Sequence, residues 1–298
     1  FLERHYFMQL FVNDLTVMDF SYLCPERGMV GESWIVDVVL NGHLNEESMI
    51  LDFGKVKKEL KFLIDEYVDH KLLVPVEHTY TKTCRDDLSG RIKVDFMRPT
   101  HRSIHLNCPP EAYAFVYSDR VSMGSVSQYL KEIIATHLPE NVAGIELHLR
   151  AEVISTPFYH YTHGLKKHDG NCQRIAHGHR SKVTCFEDKV ISEEWQSYWA
   201  KRWQDIYIGS TDDIVPIESM NLEHLEIDFS DHYLFAYESS QGVFELAISK
   251  QESELVDTDS TVECLAQYMA NEQKRLKADK KHKVIAFEGV GKGAIAYA

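Results

Sequence analysis

No stretch of this 298-residue chain stays apolar long enough to cross a bilayer as a helix, so membrane insertion by that route is not expected. Cysteine is scarce: the six present have no regular spacing, which excludes a disulfide framework and makes a reducing cytoplasm the expected compartment. Positive charge is also short. Against 46 Asp and Glu there are 32 Lys and Arg, a net charge of −14, and such a field opposes binding to nucleic acid or to an anionic lipid surface. It leaves room for a small anionic substrate wherever the surface is locally basic. With 44% hydrophobic residues the chain has ample material for a packed core, which excludes disorder.

The apolar pattern divides into two similar runs of elements. Strands are expected over 5–22 and 32–40, followed by a helix opened by Asp52 as N-cap, with Phe53, Val56, Leu60, Leu63, Ile64 and Tyr67 at helical spacing. The stretch over 75–110 is polar with two short strand-like pieces, and 76–110 reads as an insertion. A strand at 112–117, a helix over 125–138 and an alternating strand over 144–153 complete the first half. The second half repeats this order: strands near 157–161 and after His179, a Trp-rich helix over 192–205, an insertion near 206–225, a strand at 243–248, a helix over 260–274 and a strand at 283–287. Asp69-His70 and Glu152 of the first half match Asp231-His232 and Glu288 of the second, which points to a duplication. The glycine-rich run Gly289–Gly293 has neither the length nor the Ser/Thr of a phosphate loop and reads as a turn between strands.

Histidine is what the sequence has in excess, sixteen in all, five of them between His160 and His179. From His160 to Lys182 the chain carries Lys166, Lys167, Arg174, Arg180 and Lys182 against one acid, Asp169, a local reversal of sign. His177-Gly178-His179 opens a strand, where residues two apart point to one face, so both imidazoles can reach one ion. Gly178 leaves the opposite face clear. His163 on the preceding strand offers a third nitrogen, and three imidazoles with one open position suit catalytic zinc. Cys172, beside this cluster and several cations, is the candidate base or nucleophile.

These residues resemble the 6-pyruvoyl-tetrahydropterin synthase family, which includes 6-carboxy-tetrahydropterin synthase of queuosine biosynthesis. The resemblance rests on YHYTHGL ending in His163, on Asn171-Cys172 before His177-Gly178-His179, on Asp-His after the first helix, on Asp259-Ser260-Thr261 at a helix start, and on Glu288 in AFEGVGKGAIAY. In the first half it follows ILDFGKVKKELKFLIDEYVDHKLL. It implies an α+β fold of tandem T-fold (tunnelling fold) modules, with antiparallel sheets and helices on one face. Residues 1–153 would be a degenerate module lacking the metal ligands, with Leu23 and Val30-Gly31-Glu32 in their place, and 154–298 the module carrying the zinc site.

The activity so implied is that of a zinc-dependent carbon–oxygen lyase acting on 7,8-dihydroneopterin triphosphate. His163, His177 and His179 would hold zinc, Cys172 with Asp69 and His70 (or Asp231 and His232) would move protons, and Glu288 would bind the pterin. The spacing from Cys172 to His177 fits neither the carboxy-forming nor the pyruvoyl-forming members, which leaves the product open. Other zinc-dependent chemistry of the same fold on a purine or pterin, and a non-catalytic pterin-binding scaffold, are the competing readings. Exposed sheet edges call for partner subunits, so a homo-oligomer is expected, with the site formed within or between chains.

Overall fold

A computed structural model describes residues 7–222 and 226–298; His5 and Tyr6 of the expected first strand lie outside them. The first half opens with a long hairpin, β1 (Met8–Cys24) and β2 (Gly28–Gly42), both rich in β-branched and aromatic residues. A helical stretch over 53–67 follows, and Asp52 caps it by accepting a hydrogen bond from the Lys55 N–H. Next come β3 (Leu72–Pro75), β4 (Thr81–Arg85), β5 (Ile92–Phe96), β6 (Ile104–Cys108), β7 (Tyr113–Val116), the helix Met123–Ala135 and β8 (Val142–Ala151). The second half runs β9 (Phe158–His163), β10 (His177–Glu187), β11 (Val190–Ile191), the helix Glu193–Arg202, β12 (Ile206–Ser210), β13 (His232–Ser239), β14 (Gly242–Ser249), β15 (Ser253–Val256), the helix Val262–Leu276, β16 (His282–Phe287) and β17 (Gly293–Tyr297).

The two halves build the same sheet. One has the order β7-β3-β1-β2-β8, the other β15-β12-β9-β10-β16-β17, with β11 paired to β10. Each is an antiparallel hairpin extended by antiparallel strands on one side and by two parallel strands on the other. Each sheet buries one face against its own helices. In the first, Val56, Leu60, Ile64, Val126, Leu130 and Ile134 fill the space; in the second, Trp195, Trp199, Trp203, Leu265 and Met269 do so. The Trp-rich helix is therefore core.

What reads as two insertions becomes one further sheet. Strands β4, β5 and β6 pair with the hairpin β13–β14 in the order β13-β14-β6-β5-β4, and Glu245 to Ala247 of β14 lie antiparallel to Asn107 to His105 of β6. The second insertion starts later than expected, because 206–210 is β12, a strand of the main sheet. The stretch 75–110 holds three strands where two short pieces were expected, and the buried groups Asp95, His105 and Asn107 break the alternation along this face.

Register aligns the halves residue by residue. β3 meets β1 at Ser21 and Tyr22, and β12 meets β9 at Tyr161 and Thr162, so Leu23 stands where His163 does. Across the hairpins, Leu23 faces Met29 and Ser21 faces Gly31, just as His163 faces His177 and Tyr161 faces His179. Met29 and Gly31 thus occupy the positions of His177 and His179, one residue earlier than Val30 and Glu32. Similarly, the turn before β12 is Trp203–Asp205, so Asp231-His232, which borders β13 in the inserted sheet, is not the counterpart of Asp69-His70.

The halves meet where β2 crosses β9 and β10. A Cβ on Gly31 would lie 2.0 Å from the Tyr161 carbonyl oxygen and 2.7 Å from the His179 nitrogen, and one on Gly178 would lie 2.6 Å from Gly31 Cα. Only two glycines let the backbones come this close. Beside the crossing, burial pushes the Glu32 carboxyl up to about 7 and the His160 imidazole down to about 4, so both favour their neutral forms.

Gly31→Ala should destabilise the chain by on the order of 3 kcal/mol, because the clash is with backbone. Gly144→Ala, whose Cβ would meet only Asn41 Nδ2 at 4.0 Å, should stay near wild type in the same urea titration. Glu32 carries a sign that can be checked separately. Its folded pKa lies above the ordinary glutamate value of 4.5, so its contribution falls as pH rises from about 4.5 to about 7 and is level above that. Glu32→Gln should therefore gain stability over wild type across that window, by roughly 3 kcal/mol at pH 8, and match it at pH 4.

Candidate metal and catalytic site

Three imidazoles converge at the end of the β9–β10 hairpin. His163, His177 and His179 are almost wholly buried, and one nitrogen of each lies within 4.8 Å of the other two. Their outer nitrogens are all engaged. His163 Nδ1 donates to the Ser260 carbonyl (2.8 Å), His177 Nδ1 to the Arg174 carbonyl (2.9 Å) and His179 Nδ1 to the Asp19 carboxylate (3.1 Å). Each acceptor fixes the proton on Nδ1, which turns all three Nε2 lone pairs inward. His163 Nε2 and His179 Nε2 stand 3.2 Å apart, and His177 Nε2 is buried with no partner. Three lone pairs facing one another repel, and a cation between them removes the conflict. Tetrahedral ligands at a Zn–N distance of roughly 2.0–2.1 Å would be about 3.3 Å apart, close to the separation seen. Burial and then the neighbouring imidazoles hold His163 and His177 well below the usual histidine range, so both are neutral and ready to ligate.

The Asp-His pair and the cysteine singled out in the sequence come together from both halves. His70 sits in a left-handed turn (φ 56°), and the turn is pinned to β1: the His70 N–H donates to the Asp19 carbonyl (2.7 Å), while Asp69 Oδ1 accepts from the Asp19 N–H (2.8 Å). The other Asp69 oxygen holds His70 Nδ1 at 2.6 Å. His70 in turn lies beside Cys172 of the second half, and these two with His177 form another convergent group whose ligating atoms lie within 4.8 Å of one another. Burial opposes charge on His70, but the bonds to Asp69 and Cys172 outweigh it and raise its pKa to about 10.

Cys172 lies on a turn that the inserted sheet braces. Tyr237 donates to the Gln173 carbonyl, Gln241 Nε2 donates to Asn171, and the Gln241 N–H donates to Gln173 Oε1. Glu288 reaches the cluster from the end of β16, with Oε1 3.5 Å from His179 Nε2. Asp231 and His232 do not join it: His232 bonds the Ser103 carbonyl in the inserted sheet, and Asp231 is largely exposed beside His101.

Asp19 is the residue that sequence reasoning passed over. Its Oδ1 accepts from Ser33 Oγ (2.5 Å) and from His179, while its backbone holds the Asp69-His70 turn. Burial pushes its carboxyl up, but His179, Ser33 and Lys292 together hold it below the usual range. The available signal was an acid set among apolar residues of β1, four positions before Leu23. Asp19→Ala should weaken binding of a divalent metal, read with Co2+ as a spectroscopic probe, by roughly 10–100-fold.

Comparison with known proteins places these features. Over about half its length the chain resembles the crystal structure of 6-pyruvoyl tetrahydropterin synthase from Plasmodium vivax (14% identity, 51% of this chain and 94% of that one, TM-score 0.40). The Plasmodium falciparum enzyme is similar at 14% identity, 48% and 90% coverage and a TM-score of 0.39. An uncharacterised protein from Wolinella succinogenes is similar at 19% identity, 48% and 93% coverage and a TM-score of 0.28. No curated protein matches the chain. The family model described as 6-pyruvoyl tetrahydropterin synthase matches residues 21–158, the half that supplies Asp69 and His70. The resemblance read from the motifs is thus met by a family model over residues 21–158, and in this stretch the chain is similar to the 6-pyruvoyl tetrahydropterin synthase family.

Proposed function

We propose that this chain is a zinc-dependent carbon–oxygen lyase acting on 7,8-dihydroneopterin triphosphate, giving a 6-pyruvoyl- or 6-carboxy-tetrahydropterin. The observation that carries the reading is the Asp69–His70–Cys172 relay of one half set against the inward-facing imidazoles of the other. In this reading 1–153 has given up its own ligands and 154–298 keeps them, so one chain assembles one site. Cytoplasmic location and a homo-oligomeric state belong to the same proposal.

Zinc bound by His163, His177 and His179 would supply Lewis acidity toward the hydroxyls of the substrate side chain. Cys172 would take a proton from that side chain, while His70, held protonated by Asp69, would donate one, and Asp69 would keep the imidazolium oriented and stabilise its charge. Glu288 would accept hydrogen bonds from the amino and ring N–H groups of the pterin, since an ionised carboxylate offers only acceptors. The inserted sheet would hold the Cys172 turn at its working distance.

The deciding experiment pairs metal analysis with product analysis. Purified protein should contain one zinc ion per chain and convert 7,8-dihydroneopterin triphosphate, with mass spectrometry naming the product. Cys172→Ala should keep the zinc and lose turnover by about 10²–10⁴-fold. Zinc with no turnover in either protein would favour another zinc enzyme of this fold, and absence of zinc would sink the catalytic reading.

A further inference from the structure

His177 stands between two sets of ligating groups. Its ring centroid lies 4.6 Å from that of His163 on one side and 5.1 Å from that of His70 on the other. Toward His163 the donors are three imidazoles. Toward His70 they are two imidazoles and the Cys172 sulfur, again with all ligating atoms within 4.8 Å of one another. His177 is fully buried, and His70 and Cys172 are partly buried. Each imidazole of this second set is held at its far nitrogen. Asp69 Oδ2 lies 2.6 Å from His70 Nδ1, and the Arg174 carbonyl lies 2.9 Å from His177 Nδ1. That leaves His70 Nε2 and His177 Nε2 to ligate, and a carboxylate behind His70 strengthens its other nitrogen as a donor. His177 Nε2 is buried with no hydrogen-bond partner.

The two sets differ in softness. Three neutral imidazoles suit a borderline ion, whereas a thiolate with two imidazoles selects a softer one. The sulfur is also well placed to stay where it is. The Cys172 carbonyl accepts from the Leu165 N–H at 2.9 Å, and the inserted sheet braces the residues on both sides of it. Among the described residues no other cysteine meets two further ligating groups in this way. His177 Nε2 has one lone pair and serves one ion at a time, so the two positions compete for it.

We propose that Cys172, His70 and His177 form a second metal position, for a thiophilic divalent cation of the Cd2+ type, which shares His177 with the three-imidazole position and inhibits the chain when filled. Binding makes one metal–sulfur and two metal–nitrogen bonds. The thiol proton and the proton carried by His70 Nε2 leave to solvent, and no electron is transferred. The ion ties up the sulfur and withdraws His177 from the other position. His70 belongs to one half and the other two ligands to the second, so the ion also fastens the halves together. The inhibition rests on the catalytic reading of Cys172, while the position itself rests on the donor set alone.

The test is titration of the Co2+-loaded full chain with Cd2+, its thiols kept reduced by a phosphine, while the ultraviolet thiolate-to-cadmium band and the visible Co2+ bands are followed together. The thiolate band should grow, and the Co2+ bands should change with it as His177 is withdrawn. Cys172→Ser should lose that growth yet show the wild-type Co2+ spectrum before Cd2+ is added. His70→Gln and Asp69→Asn should each weaken Cd2+ at least tenfold. His163→Gln, outside the second donor set, should keep the cadmium band. Cd2+ should also raise the thermal midpoint of the wild type and not that of Cys172→Ser. A band unchanged in Cys172→Ser would assign the ion to other cysteines and overturn the proposal. So would a Cd2+ affinity untouched by His70→Gln, or Co2+ bands that stay constant while the thiolate band forms. Should His70→Gln fail to fold, the difference between wild type and Cys172→Ser, a change of one atom, still decides it. Cd2+ binding as described in a chain without pterin turnover would leave the position standing and remove the pterin lyase. Turnover that persists with Cd2+ bound would overturn the inhibition.

Discussion

The site depends on one carboxylate. Asp19 orients His179 through its side chain and fixes the Asp69-His70 turn through its backbone, so the imidazole cluster and the Asp-His pair share one anchor. A buried carboxylate would be costly in isolation, and here Ser33 and His179 satisfy it. Its position on β1, facing the strand that carries the second half's histidines, means that neither half holds a complete site. Chemistry and module docking are set by the same contacts.

The glycine crossing makes that docking possible. Gly31, which aligns with His179 in the register of the hairpins, lies against the strand that carries the imidazoles. At the two positions that align with His163 and His177, Leu23 and Met29 pack among Leu72, Val74 and Ile175. Positions that hold imidazoles in one half therefore serve interface and core in the other.

The sequence made the two-module pattern legible through its hydrophobic periods, and the convergence of imidazoles through His177-Gly178-His179 and His163. The Asp52 cap, the turn at Gly289–Gly293 and the closing strands lie where local patterns place them. The inserted sheet was largely hidden, because its strands pair across the two halves and bury polar groups that local alternation reads as surface. The ligand replacements were misplaced by one residue, since only the ladder fixes register. Asp69-His70 and Asp231-His232 look alike as dipeptides, and only the fold separates a pinned left-handed turn from the start of an inserted strand.

The shared sheet also bears on how the chain is made. Strand β6 is buried along its whole length, yet the strand that covers its free edge, β14, lies far downstream. During synthesis β4, β5 and β6 emerge first, with an apolar edge open until the second half arrives. The nascent first half is thus a sticky intermediate, and its release from that state coincides with the step that brings the Cys172 turn under the β13–β14 hairpin. Quality control and assembly of the site are joined: a ribosome product that stops short of β14 is left with both an uncovered edge and no nucleophile turn held in place.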